Sequence, residues 1–271
     1  MSHLVSIIIP CYNNADTIRE TLDSVYNQSY KNIEVIVVDD GSLDNSGERI
    51  RERQIQNPNL ILLTQENSGP AAARNYGASI STGHYLVFLD GDDKIHTDYI
   101  STCVGCFEQD PTLDLVYPVT ELFENEEGIF NLADFDPQTI LTQNCFPIVA
   151  MIRKKDFLEN GQFDEKLRIA EDWEMWIRHT RKFPNVKKIQ KTLFFYRKRA
   201  TMNSISDLNK INNIIDDAHL YVYNKHYALY REVGWDIIDL LSSRREYLKY
   251  KNKYYNQWFK KLFLFFTGKM K

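Results

Sequence analysis

The first 115 residues alternate between nearly continuous apolar runs and segments with helical spacing. Four apolar runs, at residues 4–9, 33–38, 60–63 and 85–89, predict strands. Strands that are buried on both faces of a parallel sheet have this nearly continuous apolar character, whereas a half-buried strand alternates apolar and polar residues. The runs therefore predict an α/β fold with helices on both faces of a central sheet.

Helical patterns fill the intervals between these runs. Apolar residues recur every three or four positions in the first interval, at Ile18, Leu22, Val25 and Tyr26. Ser42 or Asp44 can cap a second helix, and Pro70 suits the first turn of a third. Repeated β-α-β units of this kind form an open, twisted, Rossmann-like sheet, which binds its ligands beyond the carboxyl ends of the strands.

The rhythm changes after a fifth strand at about residues 113–117. Residues 121–138 are acidic and turn-rich, and they look like an exposed excursion that is either a lid or a solvated loop. A short apolar strand is predicted at residues 148–152. A helix with a buried aromatic face is predicted by the spacing of Trp173, Trp176 and Ile177. From about residue 206 the pattern is helical to the end.

Composition indicates a globular, soluble protein with a substantial core. The 271 residues are 43% hydrophobic and 13% aromatic. No apolar stretch approaches the ~20 residues that span a bilayer, and the amino terminus is too weakly basic for a signal peptide, so we expect a cytoplasmic protein. The four cysteines fit free thiols, because Cys103 and Cys106 lack a second Cys/His pair that would complete a zinc site.

The carboxyl-terminal segment differs in charge from the rest of the chain. Residues 244–271 contain nine Lys/Arg residues and one glutamate, although the whole chain has a net charge of −4. Aromatic residues are interleaved with the lysines, which is typical of segments that bind an anionic membrane surface. A contact within a homo-oligomer or with the α/β domain of the same chain is also open. The acidic body argues against a nucleic-acid partner.

Polar side chains follow three of the predicted strands at the point where each strand ends. The segments are Pro-Cys-Tyr-Asn at 10–13, Asp-Asp-Gly-Ser at 39–42 and Asp-Gly-Asp-Asp at 90–93. In an open α/β sheet these ends converge on one crevice. The three carboxylates of residues 90–93 repel one another unless a cation neutralises them, and Mg²⁺ or Mn²⁺ takes such ligands together with a diphosphate. A solvated acidic turn is the simpler alternative.

Taken together, these motifs resemble the family-two glycosyltransferases of the GT-A fold. The resemblance covers residues 4–205 and rests on the joint order and spacing of motifs at 5–13, 37–42, 67–75, 88–93, 171–173 and 196–197. It implies a GT-A catalytic domain at 1–205, with a nucleotide-binding half at 1–115 and an acceptor-side half at 116–205. A helical extension would follow at 206–271.

The resemblance implies an inverting, metal-dependent transfer from a UDP-sugar to a hydroxyl of a lipid-linked or protein-linked surface glycan. The weakly basic amino terminus and the basic, aromatic segment at 244–271 together suggest a cytoplasmic protein that is peripheral to the inner face of the membrane. A nucleotidyltransferase would normally carry a Gly-rich phosphate loop near its amino terminus, which this chain lacks. A non-catalytic nucleotide-sugar-binding module would have lost the metal or base carboxylates, which this chain retains.

The resemblance assigns the nucleotide to the ends of the first strands and the start of the third helix. It places the base near Pro10, Tyr12 and Asp40. Tyr12 can stack on uracil, and Asp40 can accept a hydrogen bond from uracil N3. Further nucleotide contacts are expected from Asn13, Asp39, Asn67, Arg74 and Asp92.

The same resemblance assigns Mn²⁺ or Mg²⁺ to Asp93 as the direct ligand, with Asp92 and Asp90 in the same site. The metal would neutralise the charge that develops on the departing nucleoside diphosphate. Relatives often have a histidine shortly after the Tyr-Arg pair, whereas this chain has Arg199 there. Arg197 or Arg199 can contribute positive charge to the diphosphate, or both can form a salt-bridged surface cluster.

An inverting transfer needs a base on the side of the sugar opposite the diphosphate. The resemblance assigns this role to Asp172 and lets Glu171 bind the acceptor or orient the base. The simpler alternative is that both acids only stabilise the start of a helix, by ~0.3–1 kcal/mol each.

Overall fold

The computed structural model of the protein describes residues 3–199, 214–236, 238 and 242. The chain divides into two compact units, Met1–His219 and Leu220–Lys271. The basic, aromatic segment at 244–271 lies outside the described residues, so its membrane, oligomer or domain contact stays a prediction.

The first part of the chain forms consecutive β-α-β units, as the apolar runs predict. Its strands pair in parallel in the order β3-β2-β1-β4, and β1 is buried along its whole length. The four predicted strands and three predicted helices are all present. Their bounds are β1 (Val5–Cys11), α1 (Ile18–Tyr26), β2 (Ile33–Asp39), α2 (Ser46–Gln56), β3 (Leu60–Thr64), α3 (Pro70–Ile80) and β4 (Tyr85–Phe88).

The second part of the chain extends this sheet on the far side of β4. Strand β8 is antiparallel to both β4 and β6, whereas β6 and β9 are parallel, which gives a mixed nine-stranded sheet in the described residues. The elements are β5 (Lys94–Ile95), α4 (Tyr99–Gln109), β6 (Leu115–Glu124), β7 (Gly128–Phe130), β8 (Met151–Arg153), α5 (Lys154–Glu159), α6 (Glu171–Lys182) and β9 (Val186–Lys198).

The fifth predicted strand is longer than expected. Strand β6 runs to Glu124 and forms a hairpin with β7, so residues 121–124 and 128–130 are strands and not the expected loop. The expected exposure is confirmed at Glu124 and Gly128–Phe130. The strand continues through its acidic residues because β9 pairs with it along its whole length. The backbone thus gains ladder hydrogen bonds where the composition alone suggested a loop.

Two further helices follow, α7 (Ile214–Lys225) and α8 (Tyr227–Glu232). In the second unit, the Tyr223 ring lies 5.6 Å from that of Tyr227 and 4.7 Å from that of Tyr230. None of the helices in the described part of the chain has the length and apolar character needed to cross a membrane. The four cysteines are buried free thiols, as predicted.

Candidate active site

The loops that follow β1 and β2 are tied together by side-chain hydrogen bonds. The Asn13 backbone N–H donates to Ser42 Oγ at 3.0 Å, and the Leu43 N–H donates to Asn13 Oδ1 at 2.8 Å. Asn13 has a φ of 53°, in the left-handed region that asparagine tolerates better than most residues. The bonded pair of loops leaves the neighbouring Tyr12 ring 43% exposed at the rim, where it can stack on a planar group.

The Asp40 carboxylate is held by the loop between β3 and α3. It is only 3% exposed. Its Oδ1 accepts hydrogen bonds from Gln65 Nε2 at 2.7 Å and from the Ser68 N–H at 2.8 Å, and its Oδ2 accepts one from the Gly69 N–H at 2.8 Å. A carboxylate has about four acceptor positions. Roughly one position is therefore left for the expected contact with uracil.

Asp39 has more acceptor capacity than Asp40. Its Oδ1 accepts the Ser42 N–H at 3.0 Å, and within the described residues no donor reaches its Oδ2. Gly47, in the first turn of α2, leaves room for that oxygen, because a Cβ there would lie 3.0 Å from it. Pro10 is buried within β1. Asn67 is exposed and accepts a hydrogen bond from Arg168 Nη1 at 3.1 Å.

The segment Asp90-Gly91-Asp92-Asp93, here called the acid turn, packs against the loop after β1. Thr17 Oγ1 donates to the Gly91 carbonyl at 3.0 Å. A Cβ on Gly91 would come within 2.9 Å of Asn14 Oδ1 and 3.1 Å of the Pro10 carbonyl oxygen. Glycine at this position is therefore what permits the close approach of the acid turn to the predicted base-binding loop.

Each acid of the acid turn has a cationic or backbone partner from another element. Asp90 Oδ1 lies 2.6 Å from an arginine of α3, and Asp92 Oδ2 lies 2.8 Å from Arg199 Nη2. Asp93 is fully buried, and its Oδ1 accepts the Arg197 N–H at 2.8 Å. Asp93 Oδ2 is buried with no hydrogen-bond partner among the described residues. In each of the three carboxylates, one oxygen is engaged by these partners and the other, within the described part of the chain, is available to a ligand.

The electrostatics of the acid turn favour the arrival of a cation. Burial, together with the charges of Asp92 and Asp90, raises the pKa of Asp93 well above its usual range, and burial with the charge of Asp90 raises the pKa of Asp92. No set of three metal-ligating side chains converges among the described residues. One or two carboxylates of the acid turn would still suit an ion such as Mg²⁺, which usually takes one or two carboxylates and completes its shell with phosphate and water.

The two arginines beside the acid turn differ in how fully they are engaged. Arg197 Nε donates to the Asp92 carbonyl at 2.6 Å, and its two terminal nitrogens bind Glu20 and Glu124. Its side chain is 8% exposed, whereas that of Arg199 is 22% exposed and forms an ion pair with Asp92. Arg199 is therefore the more available of the two for an incoming diphosphate, and Arg197 fastens β9 to the acid turn.

Arg74 joins the acid turn to helix α6. It is 3% exposed, with Nη2 2.6 Å from Asp90 Oδ1 and Nη1 2.5 Å from Glu171 Oε1. The two carboxylates raise the pKa of Arg74 against the opposing effect of burial. Its guanidinium also lies 5.5 Å from the centre of the Phe163 ring. The contacts that Arg74 makes here are with these acids and this ring, and its expected contact with the nucleotide stays a prediction.

Asp172 lies in the first turn of α6, next to the Arg74–Glu171 pair. Its Oδ1 accepts the Trp173 N–H at 2.7 Å, and its Oδ2 accepts Asn144 Nδ2 at 2.8 Å. Burial and the Glu171 charge raise the pKa of Asp172 to about 7, although Arg74 opposes the shift. A carboxylate poised near neutral pH is suited to general-base catalysis.

Most of the residues that the motifs single out therefore converge. Asp90, Arg74 and Glu171 form one ion-pair chain, and the acid turn meets the loop after β1. Asn144 was not found from the sequence, because it belongs to none of the motifs and lies in an irregular segment.

A family model described as "Glycosyl transferase family 2" matches residues 6–232. A chondroitin synthase of Pasteurella multocida strain Pm70 is 29% identical over 263 residues, which cover 94% of this chain and 26% of that protein. The chain thus spans about a quarter of the length of this curated relative.

Solved structures give the same architecture. The chain resembles Staphylococcus aureus TarS 1-349 in complex with UDP-GlcNAc, with a TM-score of 0.64 and 23% identity over 72% of this chain and 58% of that one. It also resembles the mannosyltransferase PcManGT of Pyrobaculum calidifontis in complex with GDP-Man and Mn²⁺, with a TM-score of 0.59 and 19% identity over 92% and 81% of the two chains. These likenesses confirm the expected fold.

Proposed function

The chain belongs to glycosyl transferase family 2, and we propose that this GT-A glycosyltransferase moves a sugar from a UDP-sugar to a hydroxyl of a surface glycan in one inverting, metal-dependent step. The observation that carries the proposal is the buried chain of ion pairs Asp90–Arg74–Glu171. These ion pairs connect the acid turn, through Asp90, to the first turn of α6, through Glu171. They support our assignment of the acid turn and of Asp172 to one site. The two groups are those that a single displacement needs, one for the leaving diphosphate and one for the acceptor proton.

The donor nucleotide would lie across the ends of β1 and β2. Tyr12 offers an exposed ring for the base, and Asp39 and Asp40 offer the remaining carboxylate acceptor positions for uracil N3 or the ribose. TarS in complex with UDP-GlcNAc supports a UDP-sugar, whereas PcManGT binds GDP-Man. We favour uridine on the likeness to the TarS complex. A carboxylate acceptor also suits the N3 donor of uracil and disfavours cytosine, which has no hydrogen at N3.

The acid turn would bind the donor diphosphate through a divalent metal. We assign the metal to Asp93 and Asp92, with Asp90 in support, and to Mn²⁺ or Mg²⁺. The bound metal supplies charge neutralisation for the departing diphosphate. Arg199, whose ion pair with Asp92 is partly exposed, is placed to contact the same phosphates.

Asp172 would take the proton of the acceptor hydroxyl. As the O–H bond breaks, the acceptor oxygen forms a bond to the anomeric carbon, and the bond from that carbon to the diphosphate oxygen breaks on the opposite face. The configuration at the anomeric carbon is thereby inverted. Glu171 is bound by Arg74, so we assign it to orienting the base. The chondroitin synthase relative supports a glycan acceptor, and we propose that the reaction takes place in the cytoplasm.

A panel of UDP-sugars with Mn²⁺, assayed by UDP release and product analysis, tests this proposal. Because Asp172 must be ionised to accept a proton, kcat/KM should fall about tenfold per pH unit as the pH drops below about 7. We expect Asp172→Asn to lower kcat by at least about 10²-fold with UDP affinity retained, and Asp93→Ala to abolish the effect of Mn²⁺ on UDP affinity.

Glu108→Gln, at an exposed position of α4, serves as the control and should match the wild type. Transfer by Asp172→Asn at the wild-type rate would remove the base assignment. If Asp93→Ala still binds UDP in the same Mn²⁺-dependent way, Asp93 is not the direct metal ligand.

A further inference from the structure

We propose that Asn144 is a positioning residue for the base, and that its side-chain amide holds the Asp172 carboxylate ionised and in one orientation. Asn144 Nδ2 lies 2.8 Å from Asp172 Oδ2, while the N–H of Trp173 takes the other oxygen at 2.7 Å. Each Asp172 oxygen keeps a free lone pair for the acceptor proton. The inference rests on the proposed function in taking Asp172 as the base.

The direction of the Asn144 amide is set by its other end. The Phe146 N–H donates to Asn144 Oδ1 at 3.1 Å, so the amide oxygen faces that donor and the NH₂ group faces Asp172. Phe146 is fully buried and packs against the rings of Tyr117, Phe135 and Trp176. The group that orients Asn144 is therefore part of the core.

The segment that carries Asn144 is also bound to α6 at a second point. Trp173 Nε1 donates to the Ile140 carbonyl at 2.6 Å. The segment from residue 140 to residue 146 is thus connected to α6 through two successive residues, Asp172 and Trp173. A side-chain donor on a segment anchored in this way loses little additional freedom when it binds the carboxylate, which is the condition for effective preorganisation.

The charges around Asp172 explain why an additional donor matters. Glu171 and Asp90 favour the protonated form of the carboxyl, as does burial, whereas Arg74 and the Trp173 N–H favour the ionised form. Among the described residues, Asn144 is the neutral donor that reaches the carboxylate from outside α6. Without this donor, Asp172 would keep its proton to higher pH, and the base would be available over a narrower range.

Two substitutions remove the donor in different ways. Asn144→Leu replaces the amide by an apolar group of similar size, and Asn144→Asp replaces it by a second carboxylate. We expect the acidic limb of kcat/KM to move up by about one pH unit in Asn144→Leu and further in Asn144→Asp, because a like charge adds to the lost hydrogen bond. Activity should therefore fall about tenfold at pH 6 in Asn144→Leu and recover towards the wild-type value at pH 9.

Gln143→Ala is the matched control, since Gln143 is exposed and adjacent in sequence, and its pH profile should equal that of the wild type. A loss of activity in Asn144→Leu that is the same at every pH would indicate a structural role only and would overturn the inference. If the acidic limb of the kcat/KM pH profile does not move in Asn144→Asp, the inference is also overturned.

A second measurement does not depend on turnover. The Asp172 carboxyl can be titrated by ¹³C NMR in full-length protein labelled at aspartate, with Asp172→Asn used to assign its signal. An upward shift of the Asp172 midpoint in both Asn144 variants supports the inference, and an unchanged midpoint rejects it. Failure of the wild type to use any UDP-sugar would instead reject the proposed donor and leave this titration valid.

Discussion

At the scale of single residues, the site depends on groups that bind two partners at once. Arg74 contacts Asp90 of the acid turn through one terminal nitrogen and Glu171 of α6 through the other. Only a guanidinium offers parallel donors in a fixed fork, so lysine does not replace arginine at such a position. The bound pair fixes the acid turn relative to the start of α6.

Arg74→Lys should therefore damage both stability and catalysis. An ammonium can hold Asp90 or Glu171 but not both, and the other acid loses its partner. We expect kcat to fall by about 10–100-fold and the free energy of unfolding to fall by a few kcal/mol, up to the ~3–5 kcal/mol typical of a broken buried pair. Urea denaturation and steady-state kinetics measure the two effects. Arg49→Lys, on an exposed pair of α2, is the control, and wild-type kinetics in Arg74→Lys would refute the connecting role.

The roles of individual residues were predictable only where they belong to a motif. The acid turn and Asp172 stand out in the sequence because their spacing matches a known pattern. The hydrogen bonds that fill most of Asp40, and the bond that joins Asn144 to Asp172, connect residues 25 or more positions apart in the chain. Such partners are brought near by tertiary folding, which no local pattern encodes.

At the scale of elements, the parallel half of the sheet was predictable and the mixed half was not. Strands β1, β2 and β4 are nearly continuous apolar runs, so their burial on both faces could be predicted from the sequence. Strand β9 contains several lysines and is only partly buried over much of its length. It is a strand because β6 pairs with it, with register shifts around Val119. Pairing of this kind is a non-local property, and β-propensity depends strongly on such context.

The end of β9 allows a comparison of two neighbouring arginines. Arg197→Gln removes the contacts with Glu20, Glu124 and the Asp92 carbonyl. We expect it to lower the free energy of unfolding by about 1–3 kcal/mol. Arg199→Gln breaks one partly exposed pair, worth up to ~1 kcal/mol, and should mainly raise the KM for the UDP-sugar.

Chemical denaturation and donor-saturation kinetics on both variants distinguish these roles. Equal losses of stability in the two variants would show that Arg199 is a clamp like Arg197. An unchanged KM in Arg199→Gln would exclude it from the diphosphate site.

At the scale of the whole molecule, the charge is divided between an acidic body and a basic tail at 244–271. The tail lies outside the described residues, and its role is predicted from composition alone. A lysine or arginine near an anionic membrane contributes ~1 kcal/mol, so nine of them outweigh one glutamate. A membrane-bound acceptor would then be reached by an enzyme held at the same surface.

Full-length protein should therefore sediment with vesicles that contain anionic phosphatidylserine and not with neutral phosphatidylcholine vesicles. A variant with Lys249, Lys251, Lys253, Lys260 and Lys261 changed to Gln should lose most of this binding, because about five contributions of ~1 kcal/mol each are removed. Raising the salt should weaken the wild-type interaction, since the Debye length falls to about 3 Å at 1 M. If the variant binds as well as the wild type, the lysines do not face lipid. Light scattering then distinguishes the two alternatives. If the wild type is a homo-oligomer that dissociates in the variant, the tail lies at a contact between copies. If the mass is unchanged, the tail contacts its own chain.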